Sequence, residues 1–480
     1  MNEHHPQAHG SHTGAALGSP GPCERPSAMP TLQDAAHTPH RPDRTGSMAV
    51  RRFQTIAVRA AGAAVAGVGL VYLAKRALEA EAPIRLRNLM KGEPAVDHAH
   101  MREVVLATAP AEGGEPRRRV VTFREHGDPR GVPILVLPSP ASGRLELISA
   151  CAEPSDVTLP PGIASPASGS GPADSPSKAA GARVIVLDRP GYGGSTDSAP
   201  LDGPGALQDV AAWVLAVADA LELDRFAVVG LGASSGYALA CADSLPSIAP
   251  GRLVGVAMVS PEGPWKGFAP SRSRRLPSPD AARLRAEALQ HTSAEGIAGR
   301  TMGWLSARAP AAAETVLLAV RRGVLSDPAV AARGGVTALR RGGDRADAAR
   351  LSAALEVGGA LLAVGALEGM RPGVAGVRSD AAALSGYPWD VDCGDVVDPW
   401  GGEGGEGGEG GGFVQLWCGD TDALARPEWA EALAAALPAD ARSLVRVPRC
   451  GHWALLADHW GDVVASLAAR FGATAGQDRA

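Results

Sequence analysis

One stretch of this chain, DRFAVVGLGASSGYALACA at 224–242, has the pattern of a strand, a tight turn and a helix in immediate succession. The apolar run 226–229 is typical of a buried strand. A glycine-rich turn follows, and alanines at 238, 240 and 242 indicate a helix with a small-residue surface. Small residues here let the helix pack closely on the strand that precedes it. The pattern therefore predicts a sharp strand-to-helix turn, and the residue at its tip decides which chemistry the turn supports.

Strand-like apolar runs alternate with helix-like segments from about residue 103 onwards. This alternation is typical of an α/β domain with a mostly parallel sheet. The central runs are apolar throughout, as strands covered on both faces are. We expect the first two runs to form an opening hairpin. The predicted strands lie at 104–107, 120–123, 134–137, 184–187, 226–229, 253–259, 413–417 and 444–447.

The domain is predicted to come in two parts. The first, 100–276, contains a Pro/Ser/Gly/Ala-rich insertion at 154–180, and the second, 376–475, contains the insertion GGEGGEGGEGGG at 401–412. Both insertions have the composition of flexible loops. Residues 277–375 are rich in Ala, Leu and Arg and carry no strand signal, so we expect a helical cap over the carboxyl ends of the strands.

The N-terminal region has a different composition. Residues 1–54 are rich in His, Pro, Gly and Ser and are predicted to be a disordered tail. Residues 55–76 are basic and then apolar, which predicts a single transmembrane anchor or an organellar targeting segment. The uncharged run 60–74 is shorter than the roughly 20 residues that span a bilayer, so a helix packed on the domain is the alternative. Without an anchor or targeting signal, a cytoplasmic location is expected.

Charge and cysteine spacing argue against two classes of site. A net charge of −5 gives no basic field for nucleic acid, so no nucleic-acid partner is expected. The six cysteines are far apart and lack paired spacing, so neither a disulfide framework nor a metal site is predicted.

Three further motifs carry a family resemblance. They are RVIVLDRPGYGGS at 183–195, LWCGDTD at 416–422 and PRCGHW at 448–453. With the strand-turn-helix stretch, and in this order, they resemble the α/β-hydrolase superfamily, in particular its esterase, lipase and epoxide-hydrolase-like branch with a helical cap. The resemblance implies an α/β-hydrolase fold with a mostly parallel sheet and a cap insertion.

The resemblance also implies catalytic positions. Asp422 matches the catalytic acid and His452 matches the catalytic histidine. In such a site an imidazole base activates a hydroxyl, while the carboxylate orients the ring and stabilises the imidazolium. The structural alternatives are a loop-bracing aspartate and a partly buried structural histidine.

The nucleophile has two candidate registers. Without gaps, the family pattern places it at Gly232, which has no hydroxyl, although glycine suits a strained turn. A second frame, G-x-S-x-G at 232–236, makes Ser234 the nucleophile with Ser235 as its neighbour. This frame requires the strand to run two residues beyond the predicted 226–229, or to contain a bulge.

The oxyanion loop also departs from the family pattern. After the strand at 134–137 the family has a His-Gly-x-Pro-like loop, whereas this chain reads PSPASGR at 138–144. In the family, the residue at this position offers its backbone N–H to the oxyanion. Here that residue is Pro140, which has no N–H. Loss of one such donor typically costs about 10² to 10³ in rate. A rearranged loop in which Ala141 donates instead would restore it.

Two functions remain open from these residues. An active protein would be a serine-hydrolase-type carboxylic ester hydrolase that needs no cofactor, with Ser234, His452 and Asp422 as its triad. The alternative is a catalytically impaired or inactive hydrolase-fold protein that binds a small-molecule ester or an apolar ligand, or serves as a scaffold. A dinucleotide-binding pattern, Gly230-x-Gly232-xxx-Gly236, is a minor third interpretation, since Glu262 matches poorly the acidic residue that it requires.

Overall fold

The computed structural model describes eight ranges of the chain, all within the unit Leu70–Ala480. The predicted tail and the predicted anchor lie outside these ranges, so both stay predictions. No helix in the described ranges is long and apolar enough to cross a membrane. The ranges are 101–106, 119–147, 175–196, 203, 205–264, 294–326, 368–400 and 412–475.

Eight strands form one sheet in the order β1-β2-β4-β3-β5-β6-β7-β8. β1 and β2 pair antiparallel, as the predicted opening hairpin requires, and β2 also runs antiparallel to β4. All the other neighbouring pairs are parallel. The strands are β1 Arg102–Leu106, β2 Arg119–Gly127, β3 Val132–Leu137, β4 Ala182–Leu187, β5 Phe226–Leu231, β6 Leu253–Val259, β7 Val414–Gly419 and β8 Arg442–Val447.

Helices cover both faces of this sheet, and short 3₁₀ turns lie at Gly232–Ser234 and Cys393–Asp395. A π-helical turn, Ala381–Gly386, follows α6. The helices are α1 Pro176–Ala179, α2 Ala206–Ala220, α3 Ser235–Ile248, α4 Ala294–Arg308, α5 Pro310–Ser326, α6 Ala375–Asp380, α7 Pro427–Ala436 and α8 His452–Ala475.

The core has one apolar layer on each side of the sheet. Alternate strand residues point to opposite faces, so Leu135 packs with α2 and α3, whereas Val136 packs with α8. The central strands β5 and β6 are buried along their whole length. This explains their continuous apolar sequence, which a strand exposed on one face would not need.

The end of the predicted insertion 154–180 is helical. The Ser175 side chain accepts a hydrogen bond from the Lys178 N–H and Pro176 occupies the first helical position, which are ordinary helix-start features. Ser177 is fully buried and accepts a hydrogen bond from the Trp460 indole of α8. The last residues of the insertion are therefore part of the packed domain and not a loop.

The predicted cap, 277–375, is described only in part. Its described residues include α4 and α5, which are helical as expected. α4 packs on the π-helical turn, where a Cβ on Gly303 would lie 2.5 Å from that of Ser385. The cap as a whole, its bounds and its place over the sheet stay predictions.

Candidate active site

The turn after β5 has its tip at Gly232. Leu231 ends the strand with an extended backbone (φ −99°, ψ 133°), and Gly232 follows with φ +55°. This left-handed conformation costs glycine little, whereas a Cβ would meet the neighbouring backbone. The 3₁₀ turn then leads directly into α3. The left-handed residue of this turn is thus Gly232, the position that the register without gaps gives to the nucleophile.

Small residues hold the strand and the helix close behind this tip. A Cβ on Gly230 would lie 2.6 Å from the Ser234 carbonyl oxygen and 2.8 Å from the Ala238 Cβ. A Cβ on Gly236 would lie 2.9 Å from the Trp389 ring. These are the close approaches that the glycine and alanine spacing predicts.

Ser234 lies in the first turn after the tip and is fully buried. Its Oγ donates a 2.6 Å hydrogen bond to the Pro138 carbonyl oxygen. Its backbone is helical (φ −66°, ψ −5°), and β5 ends at Leu231, two residues beyond the predicted 226–229, before the 3₁₀ turn that contains Ser234. The role of Ser234 as nucleophile stays a prediction, and attack on a substrate would first require the hydroxyl to leave Pro138.

Ser235 is also committed to the turn. Its Oγ donates to the Gly230 carbonyl oxygen at 3.3 Å, and the side chain is fully buried. Its backbone N–H bonds back to the carbonyls of Gly232 and Ala233. In the Ser234 frame this N–H would have to serve the oxyanion, so that frame needs the turn to change shape.

Asp422 and His452 form the hydrogen-bonded pair that the motifs imply. Asp422 follows β7 and His452 begins α8, and His452 Nδ1 lies 3.0 Å from Asp422 Oδ2 with both residues buried. The other carboxylate oxygen accepts hydrogen bonds from the N–H groups of Leu424 and Ala425, at 2.9 and 2.7 Å. These bonds fix the carboxylate, so it can orient the imidazole and stabilise its protonated form.

The turns that carry this pair are joined to each other. Both the N–H and the hydroxyl of Thr421 donate to the Cys450 carbonyl oxygen, at 3.1 and 2.9 Å. Because β7 and β8 are parallel neighbours, their carboxyl ends bring the two turns to one edge of the sheet. The pair is therefore positioned by the sheet and by direct contact between the turns.

In the loop after β3, Pro140 occupies the position to which the resemblance assigns an oxyanion donor. Pro140 offers no N–H, and Ala141 adopts a left-handed backbone with φ 64°. The Ala141 N–H donates to the Tyr192 hydroxyl at 3.3 Å. Ala141 is thus next to the expected place, but in this structure its donor is engaged by a side chain.

Three turns therefore carry the implied positions in the expected order along the chain: the sharp turn after β5, the acid after β7 and the histidine after β8. They lie at the edge of a mostly parallel eight-stranded sheet with helices on both faces. The chain has the α/β-hydrolase fold. The fold class predicted from the sequence is confirmed.

Solved structures similar to the chain include a thermophilic esterase from Thermogutta terrifontis with malate bound, which is 15% identical and covers 78% of this chain and 99% of its own, with a TM-score of 0.43. A hydrolase from Pseudomonas aeruginosa PA01 is 15% identical, covers 78% and 100%, and has a TM-score of 0.40. The enol-lactonase from Burkholderia xenovorans LB400 is 16% identical, covers 73% and 96%, and has a TM-score of 0.38. No protein-family model matches the chain, and no curated protein does.

In this hydrolase fold the space in front of Gly232 is lined by two polar side chains. A Cβ built on Gly232 would lie 3.1 Å from Ser139 Oγ and 3.2 Å from Glu262 Oε1. The Glu262 N–H also approaches the Gly232 carbonyl oxygen, at 3.4 Å. A hydroxyl and a carboxylate thus face the point from which an elbow side chain would start.

Glu146 is the hydrogen-bond acceptor that fixes Ser139. Its two carboxylate oxygens accept 2.6 Å hydrogen bonds from the Ser139 N–H and Oγ, and only 9% of the residue is exposed. Burial raises the pKa of the Glu146 carboxyl. The hydrogen bonds from Ser139 and the positive charges of His452 and Arg189 act in the opposite direction.

A buried hydrogen-bond network around Asp380 also supports the loop after β3. Asp380 accepts hydrogen bonds from Arg189 and from the hydroxyls of Tyr192 and Tyr237. Burial and the Asp380 charge raise the pKa of both tyrosines well above the usual value, so both hydroxyls stay protonated and donate. Arg189 also donates to the Ser139 carbonyl oxygen at 3.4 Å. The network fixes the loop after β3 relative to α3.

The motifs identified Asp422, His452 and the Gly232 turn, but not Ser139, Glu146 or Asp380. These three residues belong to no motif. They come near the Gly232 turn only through the paths of the loop after β3 and of the segment that follows the predicted cap. Glu262 carried a weak signal, since it follows β6, the strand beside β5. Among the described residues, no cluster of His, Cys, Asp and Glu could hold a metal ion.

Proposed function

We propose that this protein binds a small-molecule ester or an apolar ligand in front of Gly232 and forms no acyl-enzyme on its elbow. The observation that carries the proposal is the glycine at the tip, because covalent catalysis there requires a side-chain nucleophile. Ser234, the nearest hydroxyl on the same segment, is buried and bonded to Pro138.

The charge in front of Gly232 supports this proposal. A tetrahedral intermediate carries a negative oxygen that hydrogen-bond donors must stabilise. Here one donor position is Pro140, the Ala141 N–H is bonded to Tyr192, and the Glu262 carboxylate faces the tip. A carboxylate near an oxyanion raises its energy by Coulomb repulsion. The site thus favours binding over acyl transfer at the elbow.

Ester hydrolysis through Ser234 is the second candidate, and the Asp422–His452 pair favours it. In this mechanism Ser234 attacks the ester carbonyl, His452 accepts its proton and later returns it to the leaving alcohol, and Asp422 stabilises the imidazolium. A water molecule then hydrolyses the acyl-serine by the same proton transfers.

Fluorophosphonate labelling of the full-length protein separates the two candidates. We expect no adduct on the peptides that cover 224–249, in the wild type or in Ser234→Ala. An adduct on Ser234 that is lost in Ser234→Ala would overturn the proposal and establish a shifted elbow. The unfolded protein serves as the control for nonspecific labelling.

Ligand binding is tested separately by thermal unfolding with a panel of small carboxylic esters and apolar compounds. A ligand that binds only the folded state raises its stability by RT ln(1 + [L]/Kd). We expect hits that shift the wild type and Ser234→Ala equally, because Ser234 is buried behind the turn. A panel without any hit would count against a binding function.

A further inference from the structure

Ser139 brings a hydroxyl to the place that the elbow leaves empty. It lies in the loop after β3, and β3 is the parallel neighbour of β5 in the sheet. Its Oγ is 3.1 Å from the point where a Cβ on Gly232 would stand. Ser139 is partly exposed, in contrast to the fully buried Ser234. A ligand carbonyl seated over Gly232 would therefore meet the Ser139 hydroxyl.

The partner of this hydroxyl is a carboxylate and not a carbonyl. Ser139 Oγ donates to Glu146 Oε1 at 2.6 Å, within the range for an O–H bonded to an ionised oxygen. The second Glu146 oxygen accepts from the Ser139 N–H, so the loop backbone and the side chain are fixed together. A nucleophile hydrogen-bonded to a base that is itself held in place is the arrangement that covalent catalysis requires.

Burial makes the Glu146 carboxylate a stronger base than an exposed one, since it raises the pKa of this carboxyl. A charge on the nearby His452 ring acts in the opposite direction on the pKa of Glu146. The turn that leads into α3 also contacts this loop, since Ser234 Oγ donates to the Pro138 carbonyl oxygen.

We propose that Ser139, with Glu146 as its base, is a nucleophile on the loop after β3, outside the elbow, and reacts with activated carboxylic esters. The Ser139 Oγ–carbonyl bond forms while the hydroxyl proton passes to Glu146. The bond from the carbonyl carbon to the leaving oxygen then breaks, and that oxygen takes the proton from Glu146. The products are an acyl-Ser139 and an alcohol. This goes beyond the binding function proposed above.

Hydrolysis of the acyl-Ser139 completes the cycle with the same groups. A water molecule adds to the acyl carbon and gives one proton to Glu146. The bond from that carbon to Ser139 Oγ breaks, and Oγ recovers a proton from Glu146. A carboxylic acid leaves and the site returns to its starting state, with no cofactor or redox step.

The test treats the full-length protein with p-nitrophenyl acetate and, separately, with a fluorophosphonate, and maps the adduct by mass spectrometry. We expect one acetyl or phosphonyl group on Ser139. Ser139→Ala abolishes labelling, and Ser139→Cys restores acylation by the ester. Glu146→Gln slows labelling by about 10²-fold, the usual effect of losing a general base.

Ser142→Ala is the matched control, because Ser142 lies in the same loop and only its backbone N–H bonds to Ser139. It should label like the wild type. Thermal unfolding and near-ultraviolet circular dichroism establish that each variant is folded. A folded wild type without an adduct on Ser139, or equal labelling of the wild type and Glu146→Gln, overturns the assignment. The first result leaves the binding proposal intact, whereas an adduct on Ser234 contradicts that proposal.

Discussion

At the scale of single residues, Gly232 adopts the left-handed backbone that the turn requires and leaves the tip of the turn without a side chain. Its φ of +55° is one that most residues adopt only at a cost. The polar groups opposite, Ser139 and Glu262, leave limited room for a new Cβ, at 3.1 and 3.2 Å. Any residue with a side chain at this position therefore introduces backbone strain and displaces the neighbouring side chains.

Gly232→Ala and Gly232→Ser should each lower the free energy of unfolding by about 1–2 kcal/mol, which is the cost of a left-handed backbone for a residue with a Cβ. Urea denaturation measures this loss. Of the two, only Gly232→Ser should gain fluorophosphonate labelling at 232, because only it supplies a hydroxyl at the tip of the turn. A folded Gly232→Ser without an adduct at 232 would contradict this.

Asp422 is the acceptor for three donors, so its removal leaves buried groups unpaired. Asp422→Ala should cost about 2–4 kcal/mol in unfolding free energy, since the His452 ring and two backbone N–H groups lose their acceptor. Asp420→Ala, at an exposed position two residues earlier, is the control and should change stability little. Similar losses in the two variants would show that the pair with His452 adds nothing.

The raised pKa of Glu146 gives a pH dependence with a definite sign. Below the ordinary value of 4.5 the carboxyl is protonated in both the folded and the unfolded state. Above it, the unfolded chain loses this proton first, so the contribution of Glu146 to stability falls as the pH rises through the folded pKa. The stability of the wild type relative to Glu146→Gln should therefore decrease over the pH range above 4.5.

Urea denaturation of both proteins across this range measures the difference. The groups that face Glu146 are Ser139, His452 and Arg189, and all three are retained in the variant. A difference that grows with pH would mean that the hydrogen bonds from Ser139 and these positive charges outweigh burial.

At the scale of elements, the ion pair and hydrogen bonds of Asp380 join the segment from α6 to the π-helical turn to the core. Asp380 at the end of α6 pairs with Arg189 after β4 and with tyrosines of the adjoining turn and of α3. Arg189 is only 3% exposed, so it would be a buried unpaired cation without this partner. The network thus makes the loop after β3 depend on a distant part of the chain.

Asp380→Ala should therefore cost about 3–5 kcal/mol in unfolding free energy, the usual effect of breaking a buried ion pair from one side. Glu431→Ala, which removes the partly exposed pair with Arg446, should cost about 0–1 kcal/mol. Chemical denaturation compares the two. Similar small losses would show that Asp380 does not hold the segment.

The elements could be predicted better than the site. Apolar runs gave the eight strands, and motifs gave Asp422 and His452, because both signals are local in the sequence. The Ser139–Glu146 pair depends on a loop with a left-handed residue at Ala141, and no periodic pattern encodes that conformation. The sequence left Gly232 and Ser234 as alternative tips, since the choice depends on where β5 ends.

At the scale of the whole molecule, every cysteine that the structure describes is buried. These are Cys241, Cys393, Cys418 and Cys450, and none of them forms a disulfide bond. Burial raises the pKa of Cys418 to about 11 and those of Cys241 and Cys393 further, so thiolate is scarce at neutral pH.

These four thiols should resist iodoacetamide at neutral pH until the protein unfolds. Mass mapping of the alkylated peptides, with and without urea, measures this. Cys418, whose pKa rises less than those of Cys241 and Cys393, should react before them as urea is added. Rapid alkylation of any of the four in the folded protein would show that the layers open locally.

The neighbouring positions of β3 and β5 have a consequence for how such a site can change over time. The loops that follow these two strands approach the same point from different directions, one with Ser139 and the other with Gly232. A reactive group at that point can be supplied from either strand, while the packed layers below stay the same. A lineage could therefore transfer its reactive hydroxyl between adjacent strands by single substitutions, each of which leaves the fold intact.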